Sequence, residues 1–193
     1  MFAPDLLKNK RILITGGGTG IGKNMAKRFM ELGAVPIICS RREKVLEQTA
    51  GELSAETGGR IEWRQLDIRD PEAVEQVVDS VWEGGPVDAL INNAAGNFLA
   101  RTETLSHRAM DAVVNIVLHG SSYMTLACGK RWIDAGLPGN VLSIITTYAW
   151  TGSAYVVPSA MAKAGVLAMT KSLAVEWGPK GIRLNAIAPG PFP

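Results

Sequence analysis

Short apolar runs alternate with longer, helix-favouring segments along most of the chain. Six short segments, most of them apolar, have the length of β-strands: 11–15, 35–40, 61–66, 88–93, 140–145 and 182–188. The segments between them predict helices over 20–33, 42–57, from 71 onward, over 106–135 and from 158 onward. Parallel pairing needs long crossover connections, and each crossover helix must bury one apolar face. We therefore expect a single α/β domain built on a doubly wound parallel sheet.

The first apolar run ends in a glycine-rich segment, TGGGTGIG, directly before a predicted helix. Glycine permits a sharp turn and close approach of the backbone to a ligand, and the free N–H groups of a helix N-terminus attract phosphate. This strand, turn and helix therefore predict a pyrophosphate site. Its candidate contacts are Gly16, Gly17, Gly18, Thr19, Gly20, Ile21 and Gly22.

Three donor residues follow the second run: Ser40, Arg41 and Arg42. In a dinucleotide-binding unit this position lies beside the adenosine ribose, where an acidic residue would accept the hydroxyls of NAD. Arginine and serine donors suit the extra 2′-phosphate of NADP instead. We expect NADPH rather than NADH. The alternative is a solvated arginine pair that opens the next helix.

Hydroxyls and an ammonium are concentrated between residues 146 and 163. Pro158 suits the first turn of a helix, so Ser159 and Lys163 are predicted to lie one turn apart on the same helix face. Thr146 and Tyr148 are predicted at the end of the strand before that helix. This is the one segment whose spacing predicts a catalytic site.

Other polar residues follow apolar runs or interrupt them. Asp67 comes after the third run, and Asn92 and Asn93 come at the end of the fourth, where they could bind a ligand or tie loops together. Asn115 lies in an apolar part of the predicted helix 106–135, where a lone amide costs stability unless it is hydrogen-bonded. A structural amide and a proton-relay residue are both open interpretations of Asn115.

Composition narrows the classes of partner. A formal net charge of +2, with no basic run interleaved with aromatics, argues against nucleic acid. Cys39 and Cys128 lack CxxC or histidine-rich neighbours, which predicts buried thiols in a reducing compartment and no metal site. No signal-peptide pattern and no span of about 20 apolar residues is apparent. We expect a soluble protein of the cytoplasm or another reducing intracellular compartment.

Several motifs occur together in the order of a known family. They are TGGGTGIG at 15–22, NNAAG at 92–96, Asn115, Lys163 and PGP at 189–191. Over essentially its whole length the chain resembles the short-chain dehydrogenases/reductases, which have a Rossmann-type fold. The segments NNAAGNF and TTYAWTGSAYVVPSAMAKAG resemble those of the mitochondrial-type 2,4-dienoyl-CoA reductases.

The resemblance to the 2,4-dienoyl-CoA reductases rests mainly on the position of the tyrosine. Most family members place the proton-donating tyrosine four residues before the lysine and a serine thirteen residues earlier, and here those positions hold Ser159 and Thr146. In the dienoyl-CoA reductases a tyrosine eleven residues before that serine takes over. Tyr148 stands at this distance from Ser159.

The resemblance implies an NADPH-dependent oxidoreductase of fatty-acid metabolism that acts on an acyl-CoA thioester and forms a homodimer or homotetramer. Composition and hydropathy, as above, lead us to expect no nucleic acid or membrane partner. The resemblance also implies these catalytic residues: Tyr148, Lys163, Ser159, Thr146 and Asn115. Cofactor contacts would be Gly16 to Gly22, Arg41, Asp67, Asn93, Lys163, Pro189 and Gly190. Substrate contacts would be Arg69, Phe98, Ser106 and Tyr148. Lys163 would hold the nicotinamide ribose.

A displaced tyrosine has a chemical rationale. A carbonyl reductase must give a proton to the carbonyl oxygen, and serine is a poor acid for this step, whereas a phenol near an ammonium is suited to it. In a conjugated thioester, hydride adds at the far end of the conjugated system and charge collects on the thioester oxygen. Tyr148 and an asparagine amide would stabilise that oxygen, and water would protonate the carbon.

The chain also departs from the resemblance. Asn115 and Trp150 stand where the dienoyl-CoA reductases tend to have acidic residues, and Tyr155 competes with Tyr148 for the role of acid. Related enzymes continue beyond the position of Pro193, so we expect a further C-terminal part. Two other functions stay open, a carbonyl reductase or alcohol dehydrogenase of the same family and a non-catalytic NADP-binding protein.

Overall fold

A computed structural model describes residues 2, 3 and 5–190 and contains a six-stranded parallel sheet in the order β3-β2-β1-β4-β5-β6. The strands are β1 (Arg11–Thr15), β2 (Val35–Ser40), β3 (Glu62–Gln65), β4 (Ala89–Asn92), β5 (Gly139–Ile144) and β6 (Ile182–Ile187). The main helices are α1 (Gly20–Glu31), α2 (Glu43–Thr57), α3 (Pro71–Glu83), α4 (His107–Val114), α5 (Gly120–Ala135), α6 (Tyr148–Thr151) and α7 (Val157–Trp177). The predicted doubly wound, Rossmann-type architecture is confirmed.

Strand order reverses between β1 and β4, the point at which such sheets open a crevice for ligands. From β1 the chain moves outward through β2 and β3, then returns to pair β4 with β1 in the register Ile12↔Ala89. Every strand ends on the same edge because all the pairs are parallel. The residues that follow β1 and β4 therefore meet there.

Both faces of the sheet are covered, which explains why the strands β1, β2 and β4 are mostly apolar. On one face, Leu13 and Leu90 pack with the buried sides of α3 and α5, including Trp132. On the other, Ile14 and Ile38 pack with α1 and α2. Cys39 and Cys128 are free and fully buried, as predicted, and burial raises the pKa of both thiols to about 12.

The strand before the hydroxyl-rich segment ends earlier than predicted. β5 stops at Ile144, and Ile145 N–H makes the last ladder bond, 2.8 Å to Ile187 O. Ala149 N–H then donates to Thr146 O at 3.1 Å, because the backbone turns into a helix instead of pairing with a neighbouring strand. The prediction that Thr146 and Tyr148 end a strand is wrong, since Tyr148 opens α6.

The predicted helix 106–135 is a continuous helical path with a π-helical turn, Asn115–His119, between α4 and α5. Contrary to the composition argument, 107–135 has the length and mean hydropathy of a membrane span, and half of its most apolar window is buried inside the protein. A core helix that packs against α3 and α7 has the same property. The predicted helix start near Pro158 is confirmed, because α7 begins at Val157.

Replacing each of two helical glycines by alanine should change the free energy of unfolding in opposite directions. A Cβ at Gly129 would lie 2.4 Å from the ring of Trp177, whereas a Cβ at Gly51 would meet nothing within 4 Å. We expect Gly129→Ala to lower the free energy of unfolding by about 1–3 kcal/mol through overpacking. Gly51→Ala should raise it by about 0.5–1 kcal/mol through helix propensity. Urea denaturation of both variants measures this, and effects of the same sign would contradict the packing described.

Candidate active site

Two adjoining clefts open at the carboxyl ends of the strands. The first, here called the arginine cleft, has a volume of about 340 Å³. Its lining includes Gly16, Gly18, Thr19, Ser40, Arg41, Arg42, Asp67 and Ile116. The second, the tyrosine cleft, has a volume of about 390 Å³. Its lining includes Gly96, Asn97, Thr146, Tyr148, Ser159, Lys163, Pro189 and Gly190. Ile21, Asn93 and Ala95 line both, so the two clefts form one continuous groove.

The glycine turn between β1 and α1 leaves no room for side chains. Gly16 has φ +67°, and a Cβ there would lie 3.0 Å from the Cα of Ala94. A Cβ at Gly22 would lie 2.4 Å from the carbonyl oxygen of Gly16. Thr19 does not cap α1 with its side chain, and the first turn of α1 has no acidic residue. These features leave the helix N-terminus available to an anion in the groove.

Thr15 and Asn93 join the glycine turn to the end of β4. The Thr15 hydroxyl accepts hydrogen bonds of 3.0 Å from the backbone N–H groups of Asn93 and Ala94. The Asn93 amide donates to the carbonyl oxygens of Thr15 and Gly16 at 3.0 and 3.2 Å. Asn93 therefore ties two loops while lining the groove. Thr15 was not among the predicted site residues, because its only signal in the sequence was a hydroxyl residue at the carboxyl end of a buried strand.

Arg41 and Arg42 are both exposed at the outer end of the arginine cleft, next to Ser40. Asp67 lies in the same cleft, where the Nε of Arg69 donates to its two carboxylate oxygens at 2.9 and 3.1 Å. The hydrogen bonds from Arg69 hold the pKa of Asp67 below its ordinary value, with a smaller contribution from the charge of Arg41. Arg69 therefore forms an ion pair with Asp67 and does not line the tyrosine cleft.

Four of the predicted catalytic residues converge in the tyrosine cleft: Thr146, Tyr148, Ser159 and Lys163. The hydroxyls of Tyr148 and Ser159 are 3.0 Å apart, and either oxygen can be the donor. Lys163 lies one helical turn beyond Ser159 and donates to the carbonyl oxygen of Ile144 at the end of β5. Thr146 Oγ1 is buried and has no hydrogen-bond partner within the described part of the chain. A tyrosine hydroxyl, a serine hydroxyl and a lysine therefore share one cleft.

Lys163 is almost fully buried, with 6% of its surface exposed. Burial disfavours the charged ammonium and lowers the pKa of Lys163 to about 8. The ammonium is consequently present at neutral pH but close to its titration range. Its charge acts in a poorly solvated site, where electrostatic effects are stronger than in water.

Three other predicted residues lie outside the tyrosine cleft. Asn115 is half-buried at the first position of the π-helical turn, and both interpretations of its amide stay open. Ser106 caps α4 by accepting a hydrogen bond of 3.1 Å from Ala109 N–H. Phe98 is exposed, one residue beyond the cleft-lining Asn97. Their roles as catalytic or substrate residues remain predictions.

The other described residues named from the sequence lie in or around the tyrosine cleft or in a separate groove. Pro189 and Gly190 line the tyrosine cleft, and Pro191 lies outside the described residues. Trp150 lines a separate groove beside β6 and α7. Tyr155 lies before α7 and outside the lining of the tyrosine cleft. The residues described contain no group of histidines, cysteines or carboxylates that could hold a metal ion.

Comparison with known proteins decides the family. The short chain dehydrogenase family model matches residues 10–193. The chain belongs to the short chain dehydrogenase family. A solved short chain dehydrogenase from Bacillus anthracis superposes with a TM-score of 0.89 at 46% identity, over 96% of this chain and 75% of that one. The family predicted from the motifs is confirmed.

Two curated relatives carry more specific names. A probable 2,4-dienoyl-CoA reductase of Caenorhabditis elegans, named as (3E)-enoyl-CoA-producing, is 48% identical over 97% of this chain and 61% of its own length. A probable 2,4-dienoyl-CoA reductase of Bacillus subtilis, named as (2E)-enoyl-CoA-producing, is 46% identical over 96% of this chain and 74% of its own length. The chain thus spans about three fifths of the C. elegans relative. The predicted similarity to dienoyl-CoA reductases is confirmed.

The burial of Lys163 predicts a pH-dependent stability. Its pKa is about 8 in the folded protein against 10.5 ordinarily, so between these values the unfolded state holds a proton that the folded state has lost. Stability should therefore rise with pH in this window, and the cost of burying the ammonium is full below it.

Lys163→Met removes this contribution. The difference in unfolding free energy, wild type minus variant, should increase by about 1 kcal/mol per pH unit above the folded-state pKa. Urea denaturation of both proteins at several pH values measures it. A pH-independent difference would contradict the assignment of a buried, titrating ammonium.

Proposed function

We propose that the protein reduces a conjugated enoyl-CoA or 2,4-dienoyl-CoA thioester with hydride from NADPH. The observation that carries this proposal is the 3.0 Å contact between Tyr148 and Ser159 in the cleft that also holds Lys163. Ser159 occupies the usual place of the family's tyrosine, and Tyr148 brings a phenol back to the same cleft from α6. Relatives named as probable 2,4-dienoyl-CoA reductases, at 46% and 48% identity, support the substrate class.

The groove fits a nicotinamide dinucleotide. The glycine turn admits close approach of a pyrophosphate, and the uncapped N-terminus of α1 suits its charge. Arg41 would bind the 2′-phosphate of NADP, Asp67 would contact the adenine end, and Lys163 would hold the nicotinamide ribose. When bound, the cofactor supplies the hydride. Pro189 and Gly190 border the nicotinamide end in this arrangement.

The phenol of Tyr148 would act on the thioester oxygen. Reduction at the far end of a conjugated system leaves negative charge on that oxygen, and a preorganised donor there lowers the barrier by several kcal/mol. Ser159 fixes the direction of the Tyr148 hydroxyl, and the ammonium of Lys163 adds positive charge nearby. Thr146 lines the same cleft, with its Oγ1 buried and without a hydrogen-bond partner among the described residues. Water would then protonate the carbon.

Two further attributes complete the proposal. We infer a homo-oligomer, supported by the exposed apolar side chains Leu126 on α5 and Val175 on α7. We also infer a reducing intracellular compartment, supported by two free, fully buried cysteines. Light scattering of the full-length protein tests the first inference, because a monodisperse monomer would contradict it.

The displaced tyrosine gives the main prediction. Of the three tyrosines in the chain, only Tyr148 is expected to support turnover as a hydrogen-bond donor to the reacting oxygen. Tyr148→Phe should lower kcat with a 2,4-dienoyl-CoA by about 100-fold or more while leaving NADPH affinity unchanged, since the loss of one oxyanion donor typically has this size. The measurement is NADPH consumption by the full-length protein, with Tyr123→Phe on α5 as the matched control.

The other outcomes are informative. Turnover of ketones with no turnover of dienoyl-CoA would move the assignment to a carbonyl reductase. NADPH binding without turnover of any thioester or ketone would indicate a non-catalytic binding protein. Analysis of the product separates 2E from 3E reduction, in which the two relatives are named differently.

Cofactor choice gives a separate prediction. Arg41→Ala should weaken NADPH binding by about tenfold, the size of a lost charge-assisted hydrogen bond, with little effect on NADH. Isothermal titration with each cofactor measures this, and Arg28→Ala, an exposed arginine near the other end of α1, is the control. If Arg41→Ala weakened both cofactors equally, the 2′-phosphate assignment would be wrong.

A further inference from the structure

Two loops are joined beside the tyrosine cleft. The loop after β4 contributes Gly96 and Asn97 to the cleft lining, and its next residues run outward to Ala100. The loop before α7 lies between the cleft residues Tyr148 and Ser159. Ala100 N–H donates to the carbonyl oxygen of Tyr155 at 3.0 Å. This bond joins the backbone of Tyr155 to the loop whose residues Gly96 and Asn97 line the cleft.

The backbone of Tyr155 is in the left-handed region, with φ +65°. The other described non-glycine residues with positive φ are Asp5 and Asn9, two residue types that tolerate this conformation. Tyrosine does not favour it, because its Cβ crowds the backbone. Disfavoured conformations of this kind persist where the surroundings impose them, and they are frequent at ligand sites.

The side chains at this position are apolar and exposed. Tyr155 has 56% of its surface exposed, and Leu99, from the loop after β4, has 79%. Neither 93–100 nor 152–159 contains a charged residue. Packing in the core explains neither side chain, because both face solvent. An uncharged, apolar surface beside the loops that line a cleft suits an apolar ligand better than the phosphates of coenzyme A.

We propose that Tyr155 and Leu99 form an apolar rim that holds the acyl chain of the thioester. The inference rests on the proposed function and deepens it, because it assigns the part of the substrate that lies outside the reacting carbons. In this role Tyr155 is a specificity-determining residue rather than the acid. The left-handed backbone and the bond from Ala100 fix the position of Tyr155 beside the loop that lines the tyrosine cleft.

The expected signature is a dependence on chain length. Each methylene buried on the rim is worth about fourfold in affinity, so a long acyl chain gains from the rim and a short one does not. Loss of the ring should therefore raise KM for long-chain thioesters alone. The chemical step, carried out at Tyr148, should keep its kcat.

The test compares short-chain and long-chain 2,4-dienoyl-CoA with the full-length protein. Tyr155→Asn removes the ring but keeps a residue that accepts positive φ. We expect KM for the long-chain thioester to rise by about tenfold, with kcat and the short-chain KM within about twofold of wild type. Tyr155→Phe keeps the ring and should keep the chain-length preference. The matched control is Phe2→Asn, another exposed aromatic, which stacks on Arg28 of α1.

Other results overturn the inference in identifiable ways. Equal changes for both chain lengths, or none, would refute the rim, and a collapse of kcat in Tyr155→Phe would make Tyr155 the acid. Leu99→Asn, on the loop after β4, gives the same test if Tyr155→Asn fails to fold. Titration with saturated acyl-CoA of both lengths tests the rim without turnover. If wild type preferred the long chain in binding yet reduced no thioester, the proposed reaction would fail and the rim would stand.

Discussion

The hydroxyl of Thr15 joins the carboxyl ends of β1 and β4, and the arrangement of the whole site depends on this junction. Two backbone N–H groups beyond β4 donate to it, and the amide of Asn93 donates back to the glycine turn beyond β1. The sheet opens at this point because its strand order reverses there. Without the junction, the floor shared by the two clefts would not be fixed.

The second requirement of the site is a phenol in the same cleft as a buried ammonium. Here the phenol and the ammonium come from different helices, Tyr148 from α6 and Lys163 from α7. Ser159 lies on α7 one turn before Lys163, so the helix itself presents a hydroxyl that is a weak acid. The short helix α6 returns Tyr148 to within 3.0 Å of that hydroxyl. A phenol held in this way can stabilise negative charge on a substrate oxygen, and this role is the one that our proposal of a conjugated thioester gives to Tyr148.

Much of the fold was predictable because its signals are local. Apolar runs, the glycine turn and Pro158 each determine nearby backbone geometry, and the strands and helices follow from them with shifts of one or two residues. The end of β5 was not predictable, since the change from strand to α6 depends on bonds such as Ala149 N–H to Thr146 O. The π-helical turn at Asn115 had no sequence signal either.

The site residues that directly follow a strand were predictable from the sequence, because the carboxyl ends of parallel strands lie together at one edge of the sheet. The pairing of Arg69 with Asp67, the cap formed by Ser106 and the backbone of Tyr155 depend on side-chain and loop geometry that spacing does not encode. Thr15 was missed for the same reason.

A double-mutant cycle on kcat/KM with Tyr148→Phe and Ser159→Ala, using a dienoyl-CoA and NADPH, tests whether Ser159 acts through the phenol of Tyr148. If Ser159 acts by orienting the phenol, its loss should slow the wild type by about tenfold or more and have almost no effect once Tyr148 is phenylalanine. Equal, additive effects of the two substitutions would contradict the account, because Ser159 would then act on the substrate independently of Tyr148.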